Sequence, residues 1–187
     1  MNNREDGFRI LIVDDNVELR EILGEYLQGE GDFLEGAGNG KEALAMYGKR
    51  PYDLIITDLN MPLMSGMDLL KGIAKYGSTT ECIIITGYAS LDTAIEAVKL
   101  GAFDYIVKPF RMEELRVVVK NARDKIMLKK VNARLFEKLS YFYEELEKYK
   151  KKESEKQEEI EPMVDTEGII NDILKLEKIR RGRFLIE

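Results

Sequence analysis

The strongest constraint on this chain is an alternation of two kinds of segment. Short apolar runs at residues 9–13, 33–37, 53–57, 81–86 and 103–107 are separated by amphipathic stretches. The second run is weak. Ile and Val fill several of the others without polar alternation, as strands buried on both faces of a parallel sheet require. Between the runs, Val17, Leu19, Ile22, Leu23, Tyr26 and Leu27 recur at helical spacing. So do Ala43, Leu44 and Tyr47, then Met67, Leu69, Leu70 and Ile73. Ala94, Ile95, Val98 and Leu100 form a fourth face, and Leu115, Val118, Val119, Ala122 and Ile126 a fifth. Five βα units in about 120 residues predict a doubly wound open α/β sheet.

An open parallel sheet binds ligands beyond the carboxyl ends of its strands. Asp14 and Asp15 follow the first run, Asp58 follows the third, Thr86 closes the fourth, and Lys108 follows the fifth. Three carboxylates gathered at one edge demand a cation. The chain has no histidine, and its one cysteine, Cys82, lies inside an apolar run and reads as a buried small hydrophobe. Oxygen-only ligation favours a hard ion such as Mg²⁺. An ammonium and a small hydroxyl complete the set, the parts needed to neutralise a phosphoryl group and bind its oxygens. A carboxylate beside Mg²⁺ can attack phosphorus and form an acyl phosphate. Thr86 could then meet the new phosphoryl oxygen and rearrange the adjacent helix. Each residue also has a plainer use. Asp14 or Asn16 could cap the first helix, and Asp58 could be a turn residue before Met61-Pro62. Thr86 could be an ordinary β-branched strand residue, Lys108 a solvated charge and Tyr105 a core aromatic.

The fragments "ILIVDDN", "DLIITDLNMPLMSG", "IIITGY" and "DYIVKPF" occur in this order, and together they resemble the receiver domain of two-component response regulators. The resemblance covers the first ~125 residues and implies a flavodoxin-like fold of strand order 2-1-3-4-5. It implies that Asp58 is the phosphoacceptor, supplied by a sensor histidine kinase, a phosphotransfer protein or a small phosphodonor. Asp15 and Asp58 would bind Mg²⁺ directly, Asp14 mainly through water, and Asn60 through its backbone carbonyl. Lys108 would contact the phosphoryl group, while Thr86 and Tyr105 would be the switch pair. Asn60 and Tyr88 match positions that tune dephosphorylation, and the peptide Lys108-Pro109 is often cis in this family.

Beyond residue 127 the composition changes. No glycine occurs from Ala102 to Glu167, and charged residues become dense. Leu128, Asn132, Leu135, Leu139, Phe142, Leu146 and Tyr149 alternate at spacings of four and three, a coiled-coil seam. Its phase departs from that of Leu115, Val119, Ala122 and Ile126, which predicts a shift near residues 126–128. A homodimer through residues 128–149 is one expectation, with Asn132 fixing register. A single long amphipathic helix folding back on its own domain is the other. Residues 150–161 are almost wholly charged and read as exposed helix or linker. After Pro162, Asp165 and Thr166 can cap a last helix bearing Ile169, Ile170, Ile173, Leu174 and Leu176. The expected divisions are 1–127, 128–161 and 162–187.

Other functions are excluded on similar grounds. The formal net charge of -6 opposes a broad nucleic-acid footprint. Residues 131–187 hold twelve Lys or Arg against fourteen Asp or Glu, and Arg180, Arg181 and Arg183 read as a solvated helix end. No helix-turn-helix is evident. Residues 36–42, "GAGNGKE", lack the glycine spacing and the Ser or Thr of a Walker loop and read as a turn opening the second helix. A phosphatase with an Asp nucleophile would want an acid two residues after Asp58, where Asn60 stands. Self-hydrolysis of the acyl phosphate is the only catalysis expected. The polar first six residues do not read as a signal peptide, and no apolar stretch reaches the ~20 residues of a membrane helix. The expectation is a cytoplasmic, phosphorylation-switched protein whose helical extension contacts an unknown downstream protein. The alternative is a truncated or atypical transcription regulator of the kind that activates through an ATPase domain.

Overall fold

The computed structural model describes residues 7–29, 31–77, 79–154, 168 and 170–174. Five strands and five helices alternate along it: β1 (Arg9–Val13), α1 (Val17–Leu27), β2 (Phe33–Ala37), α2 (Gly40–Lys49), β3 (Leu54–Asp58), α3 (Gly66–Ala74), β4 (Glu81–Thr86), α4 (Leu91–Lys99), β5 (Asp104–Val107) and α5 (Met112–Ser154). All pairings are parallel, in the order β2-β1-β3-β4-β5. This is the flavodoxin-like order expected.

Period-two alternation divides the strand residues between two cores. Leu11, Val13, Ile55 and Ile84 pack with residues of α2, α3 and α4, among them Tyr47, Leu69, Ile73 and Ala97. Ile10, Ile12, Ile56, Ile83, Ile85 and Ile106 pack on the other face with Leu23 of α1 and Leu115, Val119, Ala122 and Ile126 of α5. The central strands are buried on both faces, which explains their unbroken apolar runs. β2 is a sheet edge and largely exposed, so its run is weak. Cys82 is buried in the first core, and that burial, together with the Glu81 charge, pushes its thiol up to about 12.

Two boundaries depart from the sequence expectation. β3 runs one residue later, because Asp53 stands at its threshold with its carboxylate accepting the Arg9 N–H at 2.9 Å. β5 begins at Asp104, after Phe103. Polar side chains start the helices as expected. Asn16, Asn39, Ser65 and Ser90 each accept a first-turn N–H of α1, α2, α3 and α4.

The edge of the sheet opposite the strand carboxyl ends is gripped by charge. The buried Glu81 carboxylate meets Lys125 at 3.1 Å and Lys129 at 2.6 Å. Asp53 meets Lys130 at 2.6 Å, and Arg123 holds Asp32 through both carboxylate oxygens while lying over the Phe8 ring.

The chain divides into two compact units, Met1–Glu137 and Lys138–Glu187. In the first, Leu128 and Leu135 are exposed on α5. In the second, Leu139, Phe142, Leu146 and Tyr149 are exposed, and the Tyr141 and Phe142 rings meet edge-on at 6.1 Å. Residues 168 and 170–174 are helical. Pro162, the cap residues Asp165 and Thr166, the apolar positions Ile169 and Leu176, and the cluster Arg180, Arg181 and Arg183 lie outside the described residues. No helix among the described residues is long and apolar enough to cross a membrane.

Candidate functional site

The carboxyl ends of β1 and β3 and the turn after β5 converge on one cluster. Asp14 directly follows β1, Asp58 ends β3, and Lys108 directly follows β5. Carboxylate oxygens of Asp14, Asp15 and Asp58 all lie within 4.8 Å of one another. Asp14 is buried, Asp58 half-buried and Asp15 exposed. The Lys108 ammonium donates to Oδ2 of Asp14 at 2.8 Å and to Oδ2 of Asp58 at 2.9 Å. Partial burial works against the charged lysine. The hydrogen bonds and charges of Asp14 and Asp58 outweigh it, so its pKa lies above the ordinary lysine value.

Local hydrogen bonds hold the Asp14 and Asp58 carboxylates. Oδ1 of Asp14 accepts the Asn16 N–H at 2.9 Å, while the Asn16 side chain caps α1. Capping therefore falls to Asn16, and Asp14 keeps its other oxygen for Lys108. Asp58 accepts the Asn60 N–H at 3.3 Å. Behind it, Gly66 opens α3 so close that a Cβ there would stand 2.1 Å from the Asp58 carbonyl oxygen. Only glycine permits that approach. Leu63, in the loop between Asp58 and α3, takes a positive φ of 69° and is exposed.

The remaining expected residues lie around this cluster. Thr86 is fully buried at the end of β4, and its hydroxyl accepts the Tyr88 N–H at 3.1 Å. Its carbonyl accepts the Lys108 N–H at 2.8 Å, and the Lys108-Pro109 peptide is cis. The Tyr105 hydroxyl pairs with Thr93 of α4 at 2.9 Å. The hydroxyls of Thr86 and Tyr105 thus have separate partners, and Thr93 is a third member that the strand pattern gave no reason to single out. The Tyr88 ring is exposed. Arg20 was also unmarked by local pattern. Its guanidinium reaches from α1 back across the β1–α1 turn to the Asp14 carbonyl at 2.5 Å.

Three carboxylates against one ammonium leave a formal excess of negative charge on a cluster of oxygen donors. That donor set fits a small hard divalent cation. A buried carboxylate, a half-buried one and a lysine that spans them can also meet an anionic electrophile once a cation offsets the repulsion.

Comparison with known proteins points the same way. Residues 10–120 match the family described as the response regulator receiver domain. The regulatory protein AtoC of Escherichia coli is 37% identical over 132 residues, covering 71% of this chain and 29% of that protein. The response regulator protein PilR of Pseudomonas aeruginosa is 41% identical over 114 residues, covering 61% of this chain and 26% of PilR. The chain therefore spans between a quarter and a third of the length of these curated relatives. Among solved structures, a response regulator receiver domain protein from Clostridium thermocellum superposes with a TM-score of 0.60 at 34% identity, over 65% of this chain and 98% of that one. A CheY-like receiver domain protein from Methanospirillum hungatei gives a TM-score of 0.63 at 31% identity, over 66% and 99%.

Proposed function

Because the chain belongs to the response regulator receiver family, we propose that it is a phosphorylation-switched signalling protein in which Asp58 accepts the phosphoryl group. The observation that carries this reading is the bridge of Lys108 between Asp14 and Asp58 beside the exposed Asp15. The carboxylates of Asp14, Asp15 and Asp58 and the backbone carbonyl of Asn60 would hold Mg²⁺, which would supply positive charge against the incoming phosphoryl oxygens. An Asp58 carboxylate oxygen attacks phosphorus, an acyl phosphate forms, and the donor leaves with the electron pair of the broken bond. The Lys108 ammonium turns from Asp58 to a phosphoryl oxygen and keeps its ion pair with Asp14. Thr86 gives up the Tyr88 N–H and offers its hydroxyl to another phosphoryl oxygen. Tyr105 follows, leaving Thr93 and loosening α4. Asn60 and Tyr88 flank the path of an attacking water and set the rate of self-hydrolysis, the only catalysis we assign.

The donor is a sensor histidine kinase or phosphotransfer protein in the cytoplasm. The receiver occupies residues 1–127, and the seam beyond it, residues 128–149, joins two copies. Support comes from the change in burial along α5, where Ile126 is 0% exposed and Leu128 is 62% exposed. The segments 128–161 and 162–187 beyond the receiver carry the output and meet the downstream protein. A second reading is favoured by the names of relatives such as the transcriptional regulatory protein ZraR of Klebsiella oxytoca, 37% identical over 113 residues. On that reading the chain is the front part, or an atypical form, of a transcription regulator. Incubation with Mg²⁺ and acetyl phosphate should add one phosphoryl group, and Asp58→Asn should abolish it. Labelling that survives the substitution would sink the assignment.

A further inference from the structure

The glycines that form no phosphate loop have another use. Gly36 lies in β2 and Gly38 just beyond it, and the Arg20 side chain runs past both. A Cβ at Gly36 would stand 3.4 Å from Arg20 Nε and 3.5 Å from its Cδ, and one at Gly38 would stand 3.8 Å from Nη1. These are ordinary van der Waals separations, so the Arg20 side chain lies along the two glycines, with the Glu42 carboxylate 3.5 Å from a Cβ at Gly38 as well. From there Nη1 donates to the backbone carbonyl of Asp14 at 2.5 Å.

That carbonyl belongs to the peptide joining Asp14 to Asp15. On its other side Asp14 is already fixed, since its N–H donates to the Ala37 carbonyl at 3.2 Å. Its carboxylate is occupied by the Asn16 N–H and by Lys108. The peptide unit is planar, so holding its oxygen fixes where the Asp15 nitrogen and Cα sit, and the bond from the Asn16 N–H to Asp14 limits rotation on the far side of Asp15. Asp15 is exposed, and packing does not supply that restraint.

We propose that Arg20 is a positioning residue for the Asp14–Asp15 carboxylate pair: lying along Gly36 and Gly38, it holds the intervening peptide so that both carboxylates face one divalent cation. This rests on the reading of Asp14, Asp15 and Asp58 as a Mg²⁺ site. The sign of the effect separates positioning from charge. An arginine acting only by its charge would repel the cation, and its removal would tighten Mg²⁺ binding. An arginine that positions the carboxylates would weaken binding when lost, because groups that orient metal ligands set affinity.

The test titrates Mg²⁺ calorimetrically into the full chain as wild type, Arg20→Met, Arg20→Lys and Gly36→Val. Arg20→Met should weaken Mg²⁺ affinity by about tenfold, the scale of lost outer partners at metal sites. Gly36→Val suits a strand, keeps the arginine but crowds it with two γ-methyl groups, and should weaken binding similarly. Arg20→Lys, which retains a donor without the planar fork, should fall between. With acetyl phosphate, Arg20→Met should need more Mg²⁺ for half-maximal labelling yet reach the wild-type rate at saturation. Unchanged or tightened Mg²⁺ binding in either Arg20→Met or Gly36→Val overturns the proposal. Wild-type protein that binds no Mg²⁺ overturns the metal reading and this proposal with it, a result visible before any variant is made.

Discussion

Lys108 and Asp58 are 50 positions apart in sequence, and the lysine ammonium lies 2.9 Å from the Asp58 carboxylate. The same ammonium is 2.8 Å from Asp14, so one side chain screens two acids that would otherwise repel each other. On the proposed reading, that double contact would make Lys108 both a partner of the phosphoryl group and a competitor of the metal.

Replacing Lys108 by Met should tighten Mg²⁺ binding, because an internal cation no longer competes for the carboxylates. It should also slow labelling by acetyl phosphate, because the phosphoryl oxygens lose their ammonium. Calorimetry and a phosphorylation time course on the same preparation would show the opposed effects. Weaker Mg²⁺ binding in the variant would contradict the competition.

The pH dependence has a definite sign. The folded pKa of Lys108 lies above the ordinary lysine value of 10.5, so its stabilisation is complete below that value and is lost as pH rises through the folded pKa. The difference in urea stability between wild type and Lys108→Met should be constant near neutrality and shrink above about pH 10.5. A difference that grows with alkalinity would reverse the argument.

Mg²⁺ should stabilise the fold by mass action. At a hundred times its dissociation constant the gain is about 2.7 kcal/mol, read as a shift of the denaturant midpoint. Asp15→Asn should remove most of that gain while scarcely altering the metal-free midpoint, since Asp15 is exposed. An equal Mg²⁺ response in the variant would remove Asp15 from the site.

Gly66→Ala places a methyl group 2.1 Å from the Asp58 carbonyl oxygen. The start of α3 must then retreat, at a cost of about 1–3 kcal/mol. Labelling should fall with stability, because Asp58 shifts with its own backbone. A variant as stable and as reactive as wild type would show that the loop yields freely.

The position of a truncation should matter. A chain ending at residue 127 loses Lys129 and Lys130, the partners of Glu81 and Asp53, whereas one ending at residue 137 keeps them. The longer receiver should be the more stable by about 1 kcal/mol per pair, after allowing for exposed lysines. Both should be monomeric and phosphorylatable by light scattering and labelling, and a persistent dimer would refute the 128–149 seam.

Where most of the candidate site residues lie could be read before the fold, because polar residues at a sheet's carboxyl edge stand next to strands that announce themselves. Asp14, Asp58, Thr86 and Lys108 each close or follow an apolar run, so sheet topology alone brings them to one edge. Arg20 and Thr93 sit on helices with ordinary amphipathic patterns, and their partners are the Asp14 carbonyl in the turn before α1 and the Tyr105 hydroxyl of β5. No local spacing encodes such contacts. β2 was faint for a related reason: at the sheet edge its side chains are not selected for burial, and two of its last three residues are Gly36 and Ala37. The helical period of residues 112–154 was visible, but it is equally satisfied by a coil and by a helix lying on its own domain.

β4 has Glu81 at one end and Thr86 at the other. The first residue grips Lys125 and Lys129, while the second lies beside the carboxylate cluster. Carboxylate cluster and helix anchorage are thus set at opposite ends of a single strut. The helix beyond Lys130 therefore joins the sheet at the end remote from the carboxylate cluster, like a handle fixed to the far end of a blade.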